Sequence, residues 1–286
     1  MKLMRCGEPG HEVPAMLAPD DTIRSLEGVV EDIRGDVLSP AGIRQLQQLN
    51  WEALPELEKN IRRGACVAGI SKFICVGLNY RDHAAETGAE IPSEPVIFNK
   101  WISAVCGPDD DILIPPDSVS TDWEVELGVI IGQKSRYLTQ ERAETAIAGY
   151  CLVNDISERE YQNHRGGTWD KGKGFDSFGP VGPWLVTRDE IRDPGELSLW
   201  LEVDGYRWQN SNTREMIFDI PTLVTYISQF MTLMPGDIIA TGTPAGVGLG
   251  QNPPVFLRPG QRVVLGAEGL GEQTHRTVST PRHAGT

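Results

Sequence analysis

The run TDWEVELGVI, residues 121–130, places Glu124 and Glu126 two positions apart inside an otherwise apolar, strand-like stretch. Side chains alternate faces along a strand, so both carboxylates leave on one side while Trp123, Val125, Leu127 and Val129 leave on the other. Two carboxylates on one buried face repel each other and lose hydration, which proteins resolve by protonation, pairing or a bound cation. Oxygen-only ligands favour a hard ion, Mg²⁺, Mn²⁺ or Ca²⁺, over zinc. The competing reading is an edge strand with both glutamates in water. Asp155 ends the apolar run YCLVND, residues 150–155, where a neighbouring strand would bring a third carboxylate to the first two.

Strand signals punctuated by glycine recur from KFICVGLNY onward: 96–99, 112–114, 124–132, 150–155, 182–186, 199–205, 237–242 and 262–269. Helical patterns are fewer, at 40–48, 79–88, 139–148, 157–164 and 221–231, the last opened by Pro221 in its first turn. Short strands without regular βα alternation predict an α+β, β-rich fold. At 286 residues the chain divides into a small N-terminal domain over 1–70 and a main domain over 71–286. The tail HRTVSTPRHAGT is expected to be frayed or disordered at its end.

A formal net charge of −14 without a compensating Lys/Arg tract argues against a nucleic-acid surface. No apolar run reaches membrane-spanning length, and charge, Gly and Pro interrupt the start MKLMRCGEPGHEV, so a cytoplasmic protein is expected. Five widely spaced cysteines without a CxxC pair read as reduced core residues, with a lone cysteine nucleophile left open. Two motifs mislead. GTWDKGKG, 167–174, approaches a phosphate loop, but Gly174 stands where the magnesium-binding hydroxyl belongs. TGTPAGVGLG, 241–250, lacks GxGxxG spacing and reads as a loop whose backbone closely approaches a ligand.

In GLNYRDHAAETG, 77–88, His83 and Glu86 share a helix face. A carboxylate beside an imidazole suits a base that activates water, although the spacing alone fits an ordinary exposed helix pair. The segment 157–180 mixes Arg159, Gln162, Arg165, Lys171 and Lys173 with glycines and aromatics. It reads as a solvated loop or as the local positive charge an acidic protein needs to hold an anion.

Four ordered signals, GLNYRDHAAETG, DWEVELGVIIG with NDISEREYQ, KGKGFDSFGPVGPWLVT, and GDIIATGTPAGVG, together resemble the fumarylacetoacetate hydrolase family over about Lys72–Glu272. The resemblance implies a mixed β-sandwich or roll, usually a homodimer, with Mg²⁺ on Glu124, Glu126 and Asp155. It implies a water-activating dyad of His83 and Glu86 on a lid segment, oxyanion or enolate stabilisation by Lys173, and substrate contacts from Arg159, Gln162 and Thr243. RGGTWDKGKG and DSFGPVGPWLVT are most similar to the sugar-acid branch, hydrolases of 2,4-diketo-3-deoxy-L-rhamnonate and 2,4-diketo-3-deoxy-L-fuconate. Asn163, His164 and Phe175 depart from that branch's usual Leu-Glu pair and cysteine. The activity so implied is hydrolysis of a small anionic diketo acid; acylpyruvate hydrolysis, oxaloacetate decarboxylation, a ureidoglycolate-type lyase step and a noncatalytic sugar-acid sensor are the rivals.

Overall fold

The computed structural model describes residues 1–280. Its largest sheet has ten strands, ordered along its main path as Ile23–Ser25, Val13–Leu17, Lys2–Cys6, Gly179–Thr187, Ile147–Asn154, Val125–Ile131, Ile238–Ala240, Phe73–Gly77 and Val96–Lys100. A second, five-stranded sheet joins Tyr206–Asn212, Ser198–Val203, Arg262–Ala267, Gly271–Ser279 and Ile112–Ile114. The β-rich α+β class expected from the sequence is what forms.

Period-two alternation dictates how the sheets pack. Val125, Leu127 and Val129 face a core shared with Leu199, Leu201, Val263 and Leu265 of the second sheet. Ile130, Cys151, Val153 and Phe73 face the opposite core, closed by Leu38 with Ile43 and Leu46 of the helix Pro40–Gln47. Glu124 and Glu126 are in phase with Ile130, so apolar packing on that face gives way to carboxylates at one end. The strand Val125–Ile131 lies between two others, which removes the reading that leaves its glutamates in water at an edge.

Several expectations need correction. The helix expected over 139–148 stops early: Gln140–Ala143 is helical, a 3-10 turn covers Glu144–Ala146, and Ile147 already begins a strand hydrogen-bonded on both sides. Sheet pairing overrides local propensity there. Over 157–164, Ser157–Glu158 pairs with Thr121–Asp122 before a short helix Arg159–Asn163 begins. The first part of the tail belongs to the strand Gly271–Ser279, which pairs with Arg262–Ala267 and buries His275 completely. The end of the tail, residues 281–286, on which the expectation of fraying falls, lies outside the described residues. The first seventy residues supply three strands that continue the large sheet through the pairs Lys2 with Val186 and Leu3 with Leu185. Among the described residues no helix is long and apolar enough to cross a membrane.

Candidate active site

Antiparallel pairing assembles the carboxylates. Glu126 stands opposite Val153, and the Asp155 backbone N–H donates to the Glu124 carbonyl at 2.9 Å, so Asp155 falls beside Glu124 on the same face. One oxygen from each of Glu124, Glu126 and Asp155 lies within 4.8 Å of the others, and all three residues are buried.

Their charges are unequally compensated. Lys173 Nζ sits 2.7 Å from Glu124 Oε2 and 2.7 Å from Asp155 Oδ2, while Arg159 Nη1 lies 2.7 Å from Glu124 Oε1. Burial alone would raise the Glu124 carboxyl, yet Lys173 and Arg159 overcome it and hold Glu124 at about 2. Glu126 has no such cation; burial first, then the charges of Asp155 and Glu124, push it well above the usual carboxylate range. A buried acid in that position needs a proton or a cation. Three hard oxygen donors around one under-compensated carboxylate fit a divalent ion such as Mg²⁺ or Mn²⁺.

Lys173 reaches the carboxylates from the short helix Asp170–Lys173. Gly172 permits this, because a Cβ there would meet the Gln162 backbone nitrogen at 2.5 Å. Burial works against the Lys173 charge, but Asp155 and Glu124 more than offset it, so the ammonium is held firmly protonated.

His83 and Glu86 lie on the helix Arg81–Thr87, with His83 Nδ1 3.3 Å from Glu86 Oε2. The preceding Asn79 fixes the helix start, donating to the Thr241 carbonyl at 2.8 Å and accepting from Phe218 N–H at 2.8 Å. The glycine-rich loop after Ile238–Ala240 holds three carboxylates through its backbone: Gly242 N–H donates to Glu126, Gly246 N–H to Glu86, and Gly248 and Leu249 N–H groups to Asp122. Gly246 is obligatory for that close approach, since its φ is +103° and a Cβ would lie 2.0 Å from the Trp208 carbonyl oxygen.

His83, Glu124, Glu126, Arg159, Gln162, Lys173 and Thr243 line one cavity of about 200 Å³. Of the nine residues singled out from sequence, Glu86 and Asp155 stand behind that wall, each hydrogen-bonded to a residue on it. Thr243 faces the cavity with its hydroxyl already engaged, donating to the Val125 carbonyl at 3.0 Å and accepting from Gln209 at 2.8 Å. Gln162 Oε1 accepts from Arg159 at 3.0 Å. The five cysteines are free, and burial raises the thiols of Cys6, to about 11, and of Cys75 and Cys106, so none of these three is a ready thiolate.

Two residues of the site escaped the sequence reading. Lys100, fully buried, donates to Asp155 Oδ1. Asp122, also fully buried, takes Arg159 Nε at 2.8 Å together with the Gly248 and Leu249 N–H groups, tying the loop to the guanidinium. For Lys100 a signal existed: in VIFNK it is in phase with Phe98 on the buried face of its strand.

Residues 72–278 match the family model described as fumarylacetoacetate (FAA) hydrolase C-terminal. A Burkholderia multivorans protein named "Putative hydrolase" is 58% identical over 97% of this chain and 99% of its own length. Fumarylacetoacetate hydrolase from Exiguobacterium antarcticum superposes with a TM-score of 0.87 at 32% identity, covering 98% of this chain and 100% of that one. Maleylpyruvate hydrolase from Sphingobium sp. SYK-6, solved with manganese(II) and pyruvate, gives a TM-score of 0.80 at 28% identity, covering 98% and 100%. With a matching model across most of its length and relatives of this identity, the chain belongs to the fumarylacetoacetate hydrolase family.

Proposed function

We propose that the protein is a divalent-metal-dependent hydrolase that splits the C3–C4 bond of a 2,4-diketo-3-deoxy sugar acid, the L-rhamnonate derivative first, giving pyruvate and L-lactate. The observation that carries this reading is the placement of a His–Glu pair and a buried triad of acidic residues around one cavity. A solved relative holding manganese and pyruvate supports it.

A hard divalent ion on the three carboxylates would supply Lewis-acid polarisation of the substrate's 2-keto oxygen and neutralise part of its charge. The remaining work falls to side chains. Glu86 accepts at His83 Nδ1, which leaves Nε2 free to take a proton from water. The hydroxide bonds to C4, the C3–C4 pair passes to the pyruvate fragment as an enolate, and C3 then takes up a proton. Lys173 presents the fixed positive charge that stabilises the enolate oxygen. Arg159, paired through Nη2 with Asp122 and through Nη1 with Glu124, adds positive charge to the wall where the substrate carboxylate would lie.

The remaining wall favours an uncharged tail. Leu78, Phe98, Asn163, Trp169, Val247 and Leu249 line it without a cation, and Arg159 and Lys173 each already serve two carboxylates. A second substrate carboxylate would be desolvated there with no partner. A short hydroxylated tail meets Gln162, Asn163 and Thr87 instead. The decarboxylase rival needs no attacking water and leaves the dyad idle; a mere sensor has no use for a base.

The test incubates the protein with Mg²⁺ and a panel of diketo acids and follows pyruvate through a coupled dehydrogenase. Pyruvate from the deoxyrhamnonate compound and none from oxaloacetate is expected. Release from oxaloacetate alone would replace hydrolysis with decarboxylation.

A further inference from the structure

Asp155 is gripped by two lysines. Lys173 takes Oδ2, on the side shared with Glu124, while Lys100 takes Oδ1 and also donates to the Ile156 carbonyl at 3.0 Å. The Lys100 side chain has no exposed surface and no place on the cavity wall, so it cannot touch substrate. Its partners are therefore its whole effect. The other two carboxylates are tethered alike: Arg159 holds Glu124 Oε1 at 2.7 Å and the Gly242 N–H holds Glu126 Oε2 at 2.8 Å. Glu126 thus has one oxygen committed outside the triad, while Glu124 and Asp155 have both engaged, with Lys173 bridging Glu124 Oε2 and Asp155 Oδ2.

We infer that Lys100 is a positioning residue that denies Asp155 two-oxygen ligation and so tunes the site toward Mg²⁺ or Mn²⁺ and against Ca²⁺. Mg²⁺ demands near-octahedral single-oxygen contacts and keeps several waters, whereas Ca²⁺ takes up to eight ligands and gains from bidentate carboxylates. An ion that takes the place of Lys173 on Glu124 Oε2 and Asp155 Oδ2 would meet one oxygen from each of the three acids, because Arg159, Lys100 and the Gly242 N–H hold the others, and that suits the smaller ion. This inference rests on the metal reading above, and the two fail separately.

The experiment measures Mg²⁺ and Ca²⁺ affinity by calorimetry for the wild-type protein and for Lys100→Met, with folding checked by circular dichroism. Removing the ammonium charge would tighten both ions by a common factor, so the ratio of the two affinities reads orientation alone. Wild type should prefer Mg²⁺, and Lys100→Met should erode that preference by about tenfold, the low end of what changing a partner behind a ligand does to metal affinity. A wild type that prefers Ca²⁺, or a ratio unmoved by the substitution, overturns the assignment; binding of neither ion removes the metal site with it. Should the variant not fold, wild-type crystals grown with Mg²⁺ decide: Asp155 ligating through one oxygen with Lys100 on the other supports the inference, and chelation through both refutes it.

Discussion

The Glu86 carboxylate accepts the backbone N–H of Gly246 at 2.9 Å, which anchors the partner of His83 to the loop that also holds Glu126 and Asp122. The neighbouring Gly250 leaves room for that carboxylate: a Cβ there would lie 2.4 Å from Glu86 Cδ. Gly250→Ala should push Glu86 off His83 and lower kcat about tenfold to a hundredfold, as a displacement near 1 Å can. Steady-state kinetics beside Mg²⁺ titration checks this: kcat falls while metal affinity holds, and unchanged kcat counts against the dyad.

His83→Ala removes the base. Turnover should fall about a hundredfold to ten-thousandfold with metal binding retained. Near-normal pyruvate release would take His83 out of the mechanism.

Lys173→Met removes the cation shared by Glu124 and Asp155. Breaking a buried charge cluster this way typically costs about 3–5 kcal/mol. Denaturant unfolding in EDTA should show the loss, added divalent ion should recover part of it, and turnover should stay low even with metal. Stability equal to wild type in EDTA would show that Lys173 does not compensate the acids.

Glu126→Gln separates stability from function through pH. The folded-state pKa of Glu126 is raised, so folding without metal takes up a proton and stability falls as pH rises above the ordinary carboxylate value. The slope is at most about 1.4 kcal/mol per pH unit. Metal-free Glu126→Gln should therefore be more stable than wild type at neutral pH, with the gap closing toward pH 4, and should gain nothing from Mg²⁺. Parallel stability curves from pH 4 to 7 would show that Glu126 ionises freely.

Much of this site was legible because its chemistry sits on regular strands. Alternation alone put Glu124 and Glu126 on one face, and the end of YCLVND marked Asp155; antiparallel register then made them neighbours. What alternation cannot give is which strands adjoin. Lys100 lies on a strand separated from Val125–Ile131 by Phe73–Gly77 and Ile238–Ala240, and its contact with Asp155 is a product of tertiary folding that no local pattern signals. Nothing local distinguishes Asp122 from any other acid before a strand, yet it receives N–H groups from residues more than a hundred positions away. The helix expected at 139–148 stops short because pairing with the neighbouring strand outweighs local composition from Ile147 onward. The family resemblance implies substrate contacts for Arg159, Gln162 and Thr243, and the geometry adds that each is also bound into the wall it lines.

Anomalous diffraction from crystals soaked in Mn²⁺ addresses the divalent centre directly. One strong peak is predicted between Glu124, Glu126 and Asp155, at ordinary metal–oxygen distance of about 2 Å from a single oxygen of each. No peak there, with all three side chains ordered, would contradict the account.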